Sequence, residues 1–107
     1  MAKMTGGQAI VRTLINHGVD TIFGLPGVQL DNTFDALYEV KNQLRTIHTR
    51  HEQGAAYMAL GYAQASGKVG ACIVGPGPGL LNAGAALCTA YGSNVPVICI
   101  AGQIPSN

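Results

Sequence analysis

The sequence predicts an α/β fold in which one parallel sheet is flanked by helices. Along its 107 residues, segments with the apolar spacing of a helix alternate with short apolar runs of strand length. Several of these runs are apolar at consecutive positions, which is typical of strands that are covered on both faces. Crossover helices connect parallel strands, so this alternation favours a flavodoxin-like arrangement within a single domain.

The first half of the chain predicts two helices and two strands. Apolar residues at helical spacing predict a helix between residues 5 and 17: Ile10, Val11, Leu14 and Ile15. Residues 19–23 predict a buried strand, and residues 44–48 predict a second, weaker one. Asp31 or Asn32 is expected to cap the helix between them. Its apolar positions are expected on one face: Phe34, Leu37 and Tyr38.

The second half repeats the same alternation with smaller residues. An Ala-rich segment at 51–66 predicts a helix that can pack closely against its neighbour, and residues 69–74 predict a strand. The Gly-Pro-Gly-Pro-Gly sequence at 75–79 is expected to be a loop outside any helix or central strand. Residues 80–91 then predict a helix and residues 95–100 a fourth strand.

Three unusual loops follow the predicted strands, at residues 24–29, 49–52 and 75–79. We call them loop one, loop two and loop three. The carboxyl ends of parallel strands meet at one edge of a sheet, which is where open α/β sheets bind ligands. The sequence therefore predicts a binding site at this edge.

The amino-acid composition disfavours nucleic acid and membrane as partners and favours contact with other protein. The net charge of +1 and the few aromatic residues do not favour nucleic acid, and no apolar run approaches the ~18–20 residues that cross a bilayer. Without a signal-peptide pattern, a cytoplasmic location is expected. After Glu52 the only charged residue is Lys68, so this half is expected to be covered by other protein. The three cysteines lie in apolar stretches and are expected to be buried thiols: Cys72, Cys88 and Cys99.

Glu52 is the candidate for chemistry. As the first-turn acid of a helix it has an ordinary role, since such a charge stabilises the helix dipole by ~0.3–1 kcal/mol. Its position beside two glycine-rich loops in a nearly uncharged segment favours a second role. A carboxylate in an apolar cleft is expected to have a raised pKa and can share a proton with a nitrogen heterocycle.

Loop three and the nearby histidines allow other interpretations. Glycine amides at a helix start can hold a phosphate, but two prolines remove two amides and no Walker lysine follows. Close approach to a flat ring suits these residues better. His48 and His51 have metal-ligand spacing, yet at a strand-to-helix junction their side chains are expected to diverge. No metal is therefore assigned to this chain.

Four motifs, in chain order, resemble the pyrimidine-binding domain of thiamine-diphosphate-dependent 2-oxo-acid decarboxylases and carboligases, such as acetolactate synthase and benzaldehyde lyase. They are FGLPG at 23–27, RHEQGAAYMALGYA at 50–63, Gly77-Pro-Gly79 with Asn82, and VPV at 95–97 with Gly102-Gln103. The resemblance implies that Glu52 hydrogen-bonds the aminopyrimidine ring and favours the form that removes the thiazolium C2 proton. It also implies cofactor contacts from the remaining site residues: Pro26, Gly27, Gly77, Pro78 and Asn82. For Asn82, a role as a polar group at the helix start is equally open.

The same resemblance implies partners that the chain itself lacks. Family enzymes hold Mg²⁺ and the diphosphate with a Gly-Asp-Gly motif in a second domain, and residues 1–107 contain no such motif. Residues 1–107 are thus expected to be a pyrimidine-binding domain truncated at its C-terminal end. A diphosphate-binding domain or subunit, a homodimer or homotetramer, and a small 2-oxo acid are the expected partners. On its own the fragment is expected to be inactive.

Loop one departs from the family pattern at Val28 and Gln29, where relatives place an acid or a nearby histidine. Neither residue supplies a proton, so carbon-carbon bond formation is expected over aldehyde release, with the Gln29 amide orienting a carbonyl oxygen. Two alternatives remain open. One is a separate small subunit of a two-chain 2-oxo-acid decarboxylase, and the other is a non-catalytic flavodoxin-like binding module.

Overall fold

A computed structural model describes residues 3–106 and has four parallel strands with two helices on each side of the sheet. The elements in chain order are α1 Gly6–Asn16, β1 Thr21–Gly24, α2 Asp31–Glu39, β2 Arg45–His48, α3 Glu52–Ser66, β3 Gly70–Val74, α4 Pro78–Gly92 and β4 Val97–Ala101. The strand order is β2-β1-β3-β4, and every neighbouring pair is parallel. The predicted α/β class is confirmed.

Successive residues of the central strands face two separate apolar layers. On β1, Ile22 packs with α1 and α2, whereas Phe23 packs with α3 and α4. On β3, Ile73 joins the first layer and Cys72 joins the second. All five residues of β3 are buried, because β3 lies inside the sheet and is covered on both faces.

Helix α3 lies very close to β3 because small residues meet there. Ala55, Ala59 and Ala63 of α3 are buried. A Cβ atom added to Gly70 would lie 2.7 Å from the carbonyl carbon of Ala59. The backbones of α3 and β3 are therefore in direct contact, and this contact fixes the height of α3 above the sheet.

Local signals account for the helix ends. The Thr5 hydroxyl accepts a hydrogen bond from the Gln8 amide, which caps α1. The His51 ring caps α3 in the same way, since its Nδ1 atom accepts from the Gln53 amide at 3.1 Å. Helix α3 ends at Gly67, which has a φ of 71°, a left-handed conformation that glycine adopts without strain.

Several predicted boundaries were wrong by a few residues. Helix α4 begins at Pro78, inside the segment expected to be a loop, because the first position of a helix needs no amide hydrogen and suits the fixed φ of proline. Neither Asp31 nor Asn32 caps α2: the capping position is Leu30, and a short 3₁₀ helix over Val28–Leu30 leads into α2 at Asp31.

Burial also corrects some predictions. Cys72 is buried as expected and Cys99 is partly buried, but Cys88 is exposed on the outer face of α4. Ile10 and Tyr38 are exposed too, because the buried stripes of their helices run through other positions. None of the helices between residues 3 and 106 has the length and apolar character needed to span a membrane.

Candidate functional site

The loops that follow the strands come together at the carboxyl edge of the sheet. The Thr49 amide, in loop two, donates to the Gly24 carbonyl at the end of β1, with an N–O distance of 2.9 Å. At the end of β4, a Cβ atom on Gly102 would lie 3.3 Å from Cδ of Pro76 and 3.5 Å from Cβ of Gln29. Loops one and three therefore meet beside Gly102, and loop two is fastened to the start of loop one.

Glu52 and Asn82 are brought together at this edge although 30 residues separate them in sequence. Glu52 is the first residue of α3, and its Oε2 atom accepts a hydrogen bond from Nδ2 of Asn82 at 3.1 Å. The carboxylate also lies against the first turn of α4. A Cβ atom on buried Gly79 would be 3.4 Å from the Oε1 atom of Glu52, so glycine leaves room beside this oxygen.

The pKa of Glu52 is lowered from its ordinary value, which contradicts the expectation of a raised pKa. The main cause is the hydrogen bond from Asn82, and the backbone amide of Glu52 itself adds to it. Burial acts in the opposite direction but is too slight to prevail, because Glu52 is only partly buried. In this chain Glu52 is a carboxylate that is ready to accept a hydrogen bond.

The other predicted site residues line the same edge. Pro26 is exposed and Gly27 is partly buried in loop one. In loop three, Gly77 has a φ of 61° and Pro78 begins α4. Gln29 is exposed, and among residues 3–106 it makes no hydrogen bond to Glu52.

Two residues with structural roles at the site were missed from the sequence. Thr49 is 6% exposed, and its hydroxyl donates to the His51 carbonyl at 3.0 Å. His51 caps α3 and thus sets the start of the helix that carries Glu52. No local sequence signal would have pointed to this arrangement, because the burial of Thr49 depends on contact with Gly24, 25 residues away in the sequence. Between residues 3 and 106, no three side chains of His, Cys, Asp or Glu gather as potential metal ligands.

The sequence matches the family described as thiamine pyrophosphate enzyme, N-terminal TPP binding domain, over residues 4–107. The chain belongs to this family. The resemblance inferred from the four motifs is thereby confirmed, and family membership implies thiamine diphosphate as the cofactor.

Curated relatives of this thiamine-diphosphate family member include both decarboxylases and synthases. A probable 2-ketoarginine decarboxylase from Pseudomonas aeruginosa is 48% identical over 97 residues, which cover 91% of this chain and 17% of the relative. An acetolactate synthase from Mycobacterium avium is 43% identical over 102 residues, covering 95% of the chain and 16% of the relative. The acetolactate synthase large subunit of Haemophilus influenzae is 41% identical over the whole chain, which spans 18% of its length.

Proposed function

We propose that this chain is the pyrimidine-binding part of a thiamine-diphosphate-dependent enzyme that acts on 2-oxo acids in an acetolactate synthase-like reaction. The observation that carries the proposal is the Glu52 carboxylate at the carboxyl edge of the sheet, which accepts a hydrogen bond from Asn82 and lies against Gly79 in the first turn of α4. Such an edge is where ligands bind in open parallel sheets.

The residues at this edge fit an aminopyrimidine ring. Asn82 engages Oε2 of Glu52, and Gly79 leaves space beside Oε1, so this oxygen can accept a hydrogen bond from a protonated ring nitrogen. The lowered pKa keeps Glu52 charged, which suits it to hold a proton at that nitrogen. Pro26, Gly27, Gly77 and Pro78 would then border the flat faces of the ring.

When bound, thiamine diphosphate supplies the reactive carbon and the electron sink for a 2-oxo acid. Glu52 holds and returns the proton at the ring nitrogen, and general acid-base catalysis of this kind contributes ~100-fold to 10,000-fold. We assign Mg²⁺ and the diphosphate to a further domain or subunit, since the relatives extend far beyond the length of this chain.

A second copy is the proposed neighbour, as a homodimer or homotetramer. Apolar side chains on the outer faces of α3 and α4 are exposed: Tyr57, Met58, Leu81 and Tyr91. Neither helix carries a charged residue after Glu52. An uncharged surface with several exposed large side chains supports coverage by protein rather than by water.

Gln29 is the proposed determinant of product type. It is exposed at the site edge, and its amide can orient a carbonyl oxygen but cannot titrate. We expect carboligation products from pyruvate in the full-length enzyme, and Gln29→Glu is expected to shift products toward aldehyde by adding an acid. Gln29→Ala tests the orienting role. Aldehyde as the main product, with the same yield in wild type and Gln29→Ala, would refute both assignments.

Titration of thiamine diphosphate and Mg²⁺ into the full-length protein tests the proposed function. We expect saturable turnover of 2-oxo acids that depends on Glu52, with Glu52→Gln as the comparison. Binding without any turnover in either protein would instead identify a non-catalytic binding module. Turnover that appears only after a second polypeptide is added would identify the separate-subunit alternative.

A further inference from the structure

We propose that Thr49 is a positioning residue, whose buried hydroxyl holds the start of α3 and thereby aims the Glu52 carboxylate at the cofactor. This inference rests on the proposed function of Glu52. Thr49 follows β2 directly and lies three residues before Glu52. Among the residues that the structure describes, Thr49 is the polar residue that is buried, with 6% of its surface exposed.

Thr49 makes one hydrogen bond between loops one and two and another within loop two. Its backbone amide donates to the Gly24 carbonyl at 2.9 Å, which fastens loop two to the end of β1. Its hydroxyl donates to the His51 carbonyl at 3.0 Å, while the Gly24 carbonyl lies farther from the hydroxyl, at 3.4 Å. A hydroxyl has one proton to donate, so the shorter contact with His51 is the main one.

The hydroxyl controls orientation more than folding. The His51 carbonyl also accepts from the Ala55 amide at 3.2 Å, and the Gly24 carbonyl also accepts from the Thr49 amide. Loss of the hydroxyl therefore leaves neither carbonyl without a donor. What it removes is the restraint on the peptide group between His51 and Glu52, since this carbonyl belongs to that peptide.

Packing provides a second restraint that a test must separate from the first. A Cβ atom on Gly54, in the first turn of α3, would lie 4.0 Å from Cβ of Thr49, so the carbon atoms of Thr49 also pack against this turn.

Two matched pairs of side chains separate the effect of the hydroxyl from the effect of packing. Threonine and valine differ by a hydroxyl in place of a methyl group, and serine and alanine differ by the hydroxyl alone.

The experiment measures two quantities in the full-length protein for wild type and the variants Thr49→Val, Thr49→Ser and Thr49→Ala. The first is C2 proton exchange of bound thiamine diphosphate, with Glu52→Gln as the reference for loss of the carboxylate. The second is amide hydrogen exchange of residues 51–58 in the cofactor-free protein, which reports the start of α3 without any catalysis.

We expect Thr49→Val and Thr49→Ala to slow C2 exchange by about 10-fold or more, because small misplacements of a reacting group are costly. Thr49→Ser should stay within about 2-fold of wild type. The first turn of α3 should exchange its amides faster in the valine and alanine variants, and at the wild-type rate in the serine variant. If the valine variant does not fold, the serine and alanine pair decides.

Three results would overturn this inference or its basis. Equal C2 exchange in the serine and alanine variants, with Glu52→Gln slow, would show that the hydroxyl does not position Glu52. Faster amide exchange without slower C2 exchange would reduce Thr49 to a structural role. Normal C2 exchange in Glu52→Gln would instead refute the proposed function of Glu52, and the role of Thr49 would fall with it.

Discussion

Replacing Gly70 with alanine tests the close contact between β3 and the helix that carries Glu52. The added Cβ would lie 2.7 Å from the carbonyl carbon and 3.2 Å from the Cα atom of Ala59, where ordinary contact begins at 3.4 Å. The gap between 2.7 and 3.4 Å requires a shift of at least about 0.7 Å. The Ala59 carbonyl oxygen is nearer still, and all three contacting atoms are backbone, so no side chain can rotate to relieve the clash.

We expect Gly70→Ala to lower the free energy of unfolding by about 3 kcal/mol, the upper end of the usual cost of overpacking. Gly6→Ala is the matched control, because a Cβ on exposed Gly6 meets no atom within 4 Å. It should change the free energy by no more than about 0.5 kcal/mol. Urea unfolding of both variants measures the difference, and weaker cofactor binding should accompany Gly70→Ala as α3 moves. Equal stability of the two variants would refute the packing described between α3 and β3.

Three further predictions concern the site edge, the opposite edge of the sheet and the end of α3. Asn82→Ala removes the main cause of the lowered Glu52 pKa, so the acid limit of cofactor binding should move to higher pH; an unchanged limit would contradict the Asn82 contact. The pKa of Asp20 is held at about 2, below its ordinary 3.8, chiefly by the Tyr62 hydroxyl and then by Lys68. Its stabilisation is therefore present above about pH 4 and lost as pH falls through about 2, and it amounts to less than about 1 kcal/mol because the side chain is 48% exposed. Urea unfolding between pH 2 and 5 should show a smaller pH dependence of stability in Asp20→Asn than in wild type, because the lowered pKa of Glu52 contributes in both proteins. Gly67→Ala should cost about 1 kcal/mol in the same assay, because its φ of 71° strains any residue with a Cβ, and a neutral effect would contradict that conformation.

The fold was predictable because hydrophobic spacing depends on local sequence. Every residue from 69 to 74 is apolar except Gly70, and β3 is in fact buried on both faces. Glycine at position 67 marked the end of α3 for the same local reason. The predicted start of α4 is wrong because a Gly-Pro repeat is typical of a loop, although proline also suits the first helical position.

The site was predictable in its location but not in its contacts. Glu52 and Asn82 lie after different strands, and only the strand order β2-β1-β3-β4 brings the starts of α3 and α4 together. The few charged residues around Glu52 predicted an apolar cleft and therefore a raised pKa. The pKa is lowered instead, because Asn82 donates a hydrogen bond to Glu52, and the sequence alone does not show that these two residues are in contact. Thr49 was missed because its role depends on burial against Gly24, 25 residues away.

The rate of C2 proton exchange of thiamine diphosphate bound to the full-length enzyme tests the central claim most directly. Glu52→Gln keeps the size of the side chain and its place beside Asn82, but an amide cannot share a proton with the pyrimidine ring. With cofactor saturating and unfolding midpoints matched, exchange should be at least ~100-fold slower in Glu52→Gln than in wild type. Equal exchange rates in the two proteins would contradict the assignment of Glu52 and leave it as an ordinary first-turn acid of α3.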